Sequence, residues 1–190
     1  MTFHARRLPH IHAIGQPIFI TWRLHGSLPA SRYFPRGATS GQAFVAMDRI
    51  LDSARNGPLH LRRPEIANLT VEALHYHEKN LDHYDLHAYV IMANHIHILI
   101  TPHVEVSKVM HSLKLFTGRE ANRVLGLAGP FWQHESYDRL VRDGTEFQRI
   151  IRYIERNPVH AGLVTMPEDF RWSGARPIDN RSPVGDRPHV

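Results

Sequence analysis

The feature that most constrains the fold of this chain is an apolar run, residues 88–100, that carries two histidines two positions apart, His95 and His97. Side chains at positions i and i+2 of a β-strand point to the same face, so both imidazoles converge while Ile96 packs on the other face. Burying imidazole without a partner is costly, and a divalent metal ion is a partner that suits two of them. The same pattern is compatible with two histidines on a solvated sheet face, because short His-x-His patterns are common.

Composition limits the chemistry of such a site. The 190 residues contain no cysteine, so disulfides and thiolate ligands are excluded and a metal would need nitrogen and oxygen ligands. With 42% apolar residues the chain can bury one sizeable core. We therefore expect a single domain over residues 1–176 and a flexible C-terminal tail over residues 177–190, where proline, glycine, arginine and aspartate dominate.

Charge and hydropathy indicate the compartment and the class of partner. The formal net charge of +5 favours a polyanionic partner, and nucleic acid is the default. Net charge alone is weak support, and it becomes useful only if the basic groups lie near the histidine pair. No apolar run is long enough to span a bilayer and the N-terminus has no signal-peptide pattern, so we expect a cytoplasmic protein that makes no membrane contact.

Hydrophobic periodicity predicts alternating strands and helices. We expect strands at residues 17–24, 86–92, 95–101 and 131–141, and helices at residues 42–55, 64–79, 106–125 and from Thr145 to Asn157, where Asn157-Pro158 ends the last helix. The two central strands form an antiparallel pair around the short Ala93-Asn94 connection. This order favours an α+β sandwich with helices on a mostly antiparallel sheet.

Tyr153 and Asn157 lie four residues apart at the end of the last predicted helix, and therefore on one face of it. Tyr153 borders the apolar stripe of that helix, so its hydroxyl can lean toward the element on which the helix packs. If that element is the sheet with His95 and His97, a phenol and an amide oxygen approach the ion. Taken alone, the spacing favours a plainer interpretation: an aromatic at the edge of the core and a helix terminator before Pro158.

Several segments together resemble the single-tyrosine HUH transposases and, within them, the branch of REP-associated tyrosine transposases. These segments, which occur in the family's order, are residues 8–10, 21–24, 27–29, 88–97, 111–117, 131–133 and 153–164. The resemblance covers roughly residues 6–176. The HUH box alone is a weak signal, but the Tyr-x-x-x-Asn-Pro motif about 55 residues later makes the combination specific.

The resemblance implies a ferredoxin-like sandwich in which helices pack on an antiparallel sheet of four to five strands. It implies a metal-dependent transposase and endonuclease that cleaves and rejoins single-stranded, hairpin-forming DNA through a 5′-phosphotyrosine intermediate. Tyr153 matches the nucleophile, His95 and His97 match the metal ligands, and Asn157 matches the third ligand, where related smaller transposases often carry glutamine. The expected ion is Mg²⁺ or Mn²⁺, and the expected state is a monomer or homodimer.

Basic side chains are expected to hold the DNA phosphates. Lys108, His111 and Lys114 follow one another at three-residue intervals on the third predicted helix, and Arg119 lies further along it. Arg152 and Arg156 flank Tyr153. Such groups make binding sensitive to salt. Each of them singly is more often a solvated surface charge.

Two other functions are weighed against the transposase. The first is a non-catalytic module that binds single-stranded or hairpin DNA and descends from a transposase; the presence of His95, His97 and Tyr153 disfavours it. The second is a two-histidine cyclic phosphoesterase. That class needs two separated His-x-Ser/Thr motifs, whereas Leu99 stands two positions after His97.

Overall fold

One four-stranded antiparallel sheet organises the protein in a computed structural model that describes residues 14–28, 39–55 and 57–174. Its strands are β1 (Ile18–Arg23), β2 (Tyr84–Ile91), β3 (His95–Pro102) and β4 (Tyr137–Leu140). They lie in the spatial order β2-β3-β1-β4, and every pairing is antiparallel. This is the ferredoxin-like strand order, so the predicted α+β sandwich is confirmed. The predicted tail, residues 177–190, lies outside the described residues.

Four α-helices accompany the sheet in the described ranges. They are α1 (Ser40–Asp52), α2 (Pro64–Lys79), α3 (Val106–Leu125) and α4 (Gly144–His160), with short 3-10 helices at His60–Arg62 and Pro167–Asp169. The start of α1 is fixed by a capping box, in which Thr39 and Gln42 each accept a hydrogen bond from the other's backbone N–H. Within these ranges, none of the helices has the length and apolarity that a membrane span requires.

Strand β3 separates two apolar cores because its side chains alternate between the faces of the sheet. Ile96, Ile98 and Ile100 face the core that includes residues of α2 and α3. Leu99 belongs to the other core, which α4 covers with Ile151 and other apolar side chains. All eight residues of β3 are buried. The two histidines of β3 therefore lie beneath α4, on the Leu99 face.

Two predicted boundaries are wrong. Of the strand predicted at residues 131–141, the structure forms β4 and an isolated antiparallel bridge between Trp132 and Leu24. Between them, the backbone carbonyls of Gln133, His134 and Glu135 accept hydrogen bonds from the Lys114 ammonium. Helix α4 does not end at Asn157. Proline is tolerated in its last turn, where the N–H of Ala161 still donates to the Asn157 carbonyl at 3.0 Å.

Candidate active site

Strand β3 brings the His95 and His97 side chains together at the centre of the α4 face. Both residues are fully buried, and their Nε2 atoms lie 3.1 Å apart. Their rings are inclined at 75° to each other. Two lone pairs at this distance repel each other unless a proton or a cation lies between them.

Hydrogen bonds at the opposite ring nitrogens fix the orientation of both imidazoles. The Asn94 amide group donates to the Leu51 carbonyl at 3.1 Å, so its oxygen is the atom that accepts from His95 Nδ1 at 2.8 Å. His97 Nδ1 lies 2.7 Å from the Thr21 hydroxyl. With its proton on Nδ1, neutral His95 presents the Nε2 lone pair to the centre, which is the arrangement of a histidine that binds metal.

Helix α1 supplies two carboxylates that face the histidines, Asp48 and Asp52. Asp48 Oδ1 lies 3.3 Å from His97 Nε2 and 3.6 Å from His95 Nε2. Asp52 Oδ1 lies 3.5 Å from His95 Nε2. Asp48 is 4% exposed, and one ligand atom from each of Asp48, His95 and His97 fits within 4.8 Å of the others.

The protonation states in this cluster follow from burial and proximity. Burial and the charge of His97 lower the pKa of His95 to about 3 against the opposing influence of Asp48, so His95 is neutral near pH 7. Burial raises the pKa of Asp48, but interactions with His97, His95 and Tyr153 outweigh it and bring that pKa to about 2. Burial and the Asp48 charge raise the pKa of Asp52 to about 7. Asp48 is therefore ionised beside a neutral His95 at neutral pH.

Helix α4 places the Tyr153 ring beside His97, with the ring centroids 5.5 Å apart. The Tyr153 hydroxyl donates a hydrogen bond to Asp48 Oδ2. Burial, the charge of Asp48 and the hydrogen bond to it raise the pKa of Tyr153 above its ordinary value. The phenol is therefore protonated at neutral pH, and a nearby cation is what would make its ionised form accessible.

Asn157, one turn after Tyr153, completes the cluster. Its side-chain nitrogen lies 3.3 Å from His97 Nε2, and the residue is 1% exposed. Its Oδ1 atom is buried without a hydrogen-bond partner, as are Asp48 Oδ1 and Asp52 Oδ1. Unsatisfied buried oxygens are costly in a folded protein. Two of them, from Asp48 and Asp52, lie within 3.6 Å of an imidazole nitrogen, and together with the imidazoles they fit a divalent ion with mixed nitrogen and oxygen ligands.

Aromatic side chains of β1, α1 and β4 pack around the cluster. Phe19 stacks on His97 with centroids 5.6 Å apart, and Phe44 stacks on Tyr137 at 4.3 Å. Phe44 and Tyr137 also line a cleft of about 300 Å³ between α1, the end of β1 and the segment before β4. Phe44 also contacts Tyr153, with ring centroids 6.4 Å apart, so the cleft lies one ring away from the phenol.

The residues predicted to bind DNA divide between two regions. Arg152 and Arg156 are exposed on α4, next to Tyr153. Lys108, His111 and Arg119 are exposed on α3, which packs on the opposite face of the sheet, and Arg119 pairs with Glu120 at 3.1 Å. The structure does not bring these α3 side chains to the histidines.

Lys114 has a different environment from the one expected. Its ammonium donates to the carbonyls of Gln133, His134 and Glu135 at 3.1, 2.9 and 3.4 Å. Burial and the charge of Arg23 lower the pKa of Lys114 to about 8. Its position holds the wall of the cleft in place, and its three hydrogens are already used.

Sequence reasoning missed Asp48 and Asp52. A signal was available, because Asp48 occupies the apolar side of α1 between Phe44 and Leu51, where an ionisable residue is costly without a partner. Asp52 lies one turn further along that helix. The pattern could not say that this side of α1 packs against β3, some 45 residues later in the chain.

Comparisons with known proteins found a family and a shared fold. A protein-family model described as "Transposase IS200 like" matches residues 63–157, a range that includes both histidines, Tyr153 and Asn157 but not Asp48. The solved structure of a REP-associated tyrosine transposase bound to a REP hairpin matches with a TM-score of 0.51 and 18% identity, over 95% of this chain and 94% of that chain. At this identity the match shows a shared fold. Among curated proteins none matches.

Proposed function

The chain belongs to the family of IS200-like transposases, and on this premise we propose that Tyr153 is the nucleophile with which it cleaves and rejoins single-stranded DNA. The observation that carries the proposal is the meeting of three elements at one point. Strand β3 supplies two buried imidazoles, and α4 supplies Tyr153 and Asn157 beside them. Helix α1 supplies the Asp48 carboxylate, which accepts a hydrogen bond from the Tyr153 hydroxyl. All of these groups come from one chain, which supports a site formed within a single subunit.

The proposed reaction is a transesterification at phosphorus. The Tyr153 oxygen attacks the scissile phosphate, its proton is released to solvent, and a new bond joins the phenolic oxygen to phosphorus. The bond from phosphorus to the 3′ oxygen breaks, and that oxygen takes up a proton from water to leave as a 3′-hydroxyl. The product is a 5′-phosphotyrosine. Attack by another 3′-hydroxyl reverses the step and joins new strands without an external energy source.

The residues around Tyr153 fit a divalent ion, either Mg²⁺ or Mn²⁺. His95 and His97 would hold it through Nε2 and Asp48 through its unpartnered Oδ1, and Asn157 would add its amide oxygen to this mixed set of nitrogen and oxygen ligands. When bound, such an ion neutralises the charge that develops on the phosphate oxygens and on the phenolic oxygen. Imidazole ligands favour Mn²⁺, whereas carboxylate ligands suit both ions.

The proposed substrate is single-stranded DNA that forms a hairpin. The structural neighbour is described as bound to a REP hairpin, and this chain has a formal net charge of +5. The exposed Arg152 and Arg156 would contact phosphates close to Tyr153, and the cleft lined by Phe44 and Tyr137 would accept an unpaired base. With Lys108, His111 and Arg119 on the other face, a hairpin would have to wrap around the sheet edge to reach both regions. We assign this activity to the cytoplasm.

A covalent adduct on a denaturing gel tests the proposal. Purified protein is incubated with a labelled hairpin oligonucleotide and Mn²⁺ or Mg²⁺, and the wild type is expected to form an adduct that Tyr153→Phe does not form. The control is Tyr76→Phe, which removes the same hydroxyl from an exposed tyrosine on α2. Hairpin binding by the wild type without adduct or cleavage would indicate a non-catalytic binding module and contradict the proposal.

A further inference from the structure

We infer that Asp48 is a positioning residue that couples the metal ion to the nucleophile, with one carboxylate oxygen directed to the ion and the other to the Tyr153 hydroxyl. The inference rests on the proposed function, because it assigns Asp48 a role in the chemistry of Tyr153. It concerns a residue on α1, outside the range that the family model matches.

The first oxygen of Asp48 is placed as a metal ligand. Oδ1 is buried, has no hydrogen-bond partner, and lies 3.3 Å from His97 Nε2 and 3.6 Å from His95 Nε2. A cation between these three atoms would satisfy all of them at once. Two imidazoles and one carboxylate on one side of an ion leave its other positions open for phosphate oxygens.

The second oxygen of Asp48 holds the nucleophile. Oδ2 accepts the hydrogen bond of the Tyr153 hydroxyl, although the two residues are 105 positions apart in the chain. The two oxygens belong to one planar group, so the position of the phenolic oxygen is fixed relative to Oδ1 and hence to the ion. The phenolic oxygen lies on the axis of the Cβ–Cγ bond, so only rotation about the Cα–Cβ bond moves it, and this contact restrains that rotation.

The position of α1 is itself tied to the metal strand. Asn94, next to His95, donates to the Leu51 carbonyl of α1 at 3.1 Å and accepts from His95 Nδ1 at 2.8 Å. The same amide therefore orients the first histidine and anchors the helix turn that carries Asp48. Small displacements of reacting groups lower the rate of an enzyme by large factors. By holding His95 and the α1 turn together, the Asn94 amide would keep Asp48 at a fixed distance from the histidines.

Asp52 provides a matched control within the same helix. Its Oδ1 lies 3.5 Å from His95 Nε2, close to the 3.6 Å of Asp48 Oδ1. Among the described residues, however, the Tyr153 hydroxyl bonds to Asp48 and not to Asp52. Removing either carboxyl group takes one acidic group from beside the histidines, but only the Asp48 change also releases the phenol.

Two readouts separate these roles. Mn²⁺ affinity is measured without DNA, from the electron paramagnetic resonance signal of free Mn²⁺. The single-turnover cleavage rate of a hairpin oligonucleotide is then measured at saturating Mn²⁺. Asp48→Ala is expected to lower both the affinity and the rate at saturation by at least about tenfold. Asp52→Asn is expected to lower the affinity while its rate at saturation stays well above that of Asp48→Ala.

Asp48→Asn keeps one side-chain oxygen, which can face the ion or the phenol but not both. Its Mn²⁺ affinity and its cleavage rate, taken together, are therefore expected to lie between those of the wild type and those of Asp48→Ala. It also replaces Asp48→Ala if circular dichroism shows that the alanine variant is unfolded. The inference is overturned if Asp48→Ala, or Asp48→Asn where the alanine variant is unfolded, binds Mn²⁺ as tightly as the wild type. It is also overturned if that variant cleaves as fast as Asp52→Asn at saturating Mn²⁺. An adduct that persists in Tyr153→Phe would instead overturn the proposed function.

Discussion

Replacing Asp52 by asparagine is expected to stabilise the metal-free protein, although it removes a group that lies beside the metal ligands. Burial and the neighbouring Asp48 charge raise the pKa of Asp52 from 3.8 to about 7 in the folded protein. The folded state therefore holds a proton that the unfolded state has already lost between those two pH values. Stability falls as the pH rises through this window, and the full penalty is present above about pH 7.

The size of the penalty follows from the shift. About three pKa units at about 1.4 kcal/mol each give about 4 kcal/mol as an upper limit. The Asp52 side chain is 19% exposed and shares its surroundings with a second carboxylate, so solvent and relaxation reduce this figure. We expect Asp52→Asn, which mimics the protonated acid, to gain about 2 kcal/mol near pH 8. For a chain of this size that is a rise of about 4–8 °C in Tm.

Thermal unfolding in the presence of a chelator, followed by circular dichroism at several pH values, measures this gain. The difference between Asp52→Asn and the wild type should shrink toward zero as the pH falls to about 4. Asp48→Asn is the control of opposite sign. The pKa of Asp48 is lowered to about 2, so its ionised form stabilises the metal-free fold and its replacement should lower Tm.

Saturating Mn²⁺ should narrow or reverse the advantage of Asp52→Asn, because the wild type has one more negative charge with which to bind the cation. The reasoning is refuted if Asp52→Asn unfolds at or below the wild-type temperature near pH 8 in chelator. A rise in Tm of equal size at all pH values would also refute it, since the penalty in the wild type would then not come from ionisation of Asp52.

Three further outcomes follow from the same contacts. His95→Ala and His97→Ala should each abolish measurable Mn²⁺ binding and DNA cleavage, and undiminished cutting by both variants would disprove the metal assignment. Asn94→Ala should weaken Mn²⁺ binding by about 10–100-fold in a titration, because it frees His95 Nδ1 and the Leu51 carbonyl; wild-type affinity would show that this amide does not orient the site. Glu146→Gln should cost about 1–3 kcal/mol in urea unfolding, because the buried carboxylate accepts from Arg139, Arg142 and Arg149; an unchanged midpoint would contradict its role.

Local pattern predicted the parts of this molecule that depend on neighbours in sequence. The period of two along β3 correctly placed Ile96 on the face opposite the two histidines. The helical spacing of apolar residues predicted the bounds of α1, α2 and α3 to within a few residues. The strand order required more than periodicity. It came from the resemblance, because several topologies accommodate the same succession of strands and helices.

Long-range contacts account for what the sequence did not predict. Asp48 reaches the histidines only because α1 packs over the end of β3, and nothing within α1 specifies that neighbour. Lys114 was expected on a DNA-binding face, but it donates to carbonyls in a segment some 20 residues later. Such contacts depend on the packing of distant elements, which sequence spacing does not encode.

Identifying the residue that carries the DNA is the most direct test of the central claim, which is that a phenol on α4 attacks phosphorus beside the two imidazoles of β3. The wild-type protein is trapped with a hairpin oligonucleotide and Mn²⁺, digested with nuclease and protease, and analysed by tandem mass spectrometry. We predict that the remaining nucleotide is attached to the peptide containing Tyr153, through a 5′-phosphate. Attachment at another residue, such as Tyr137, would contradict the account.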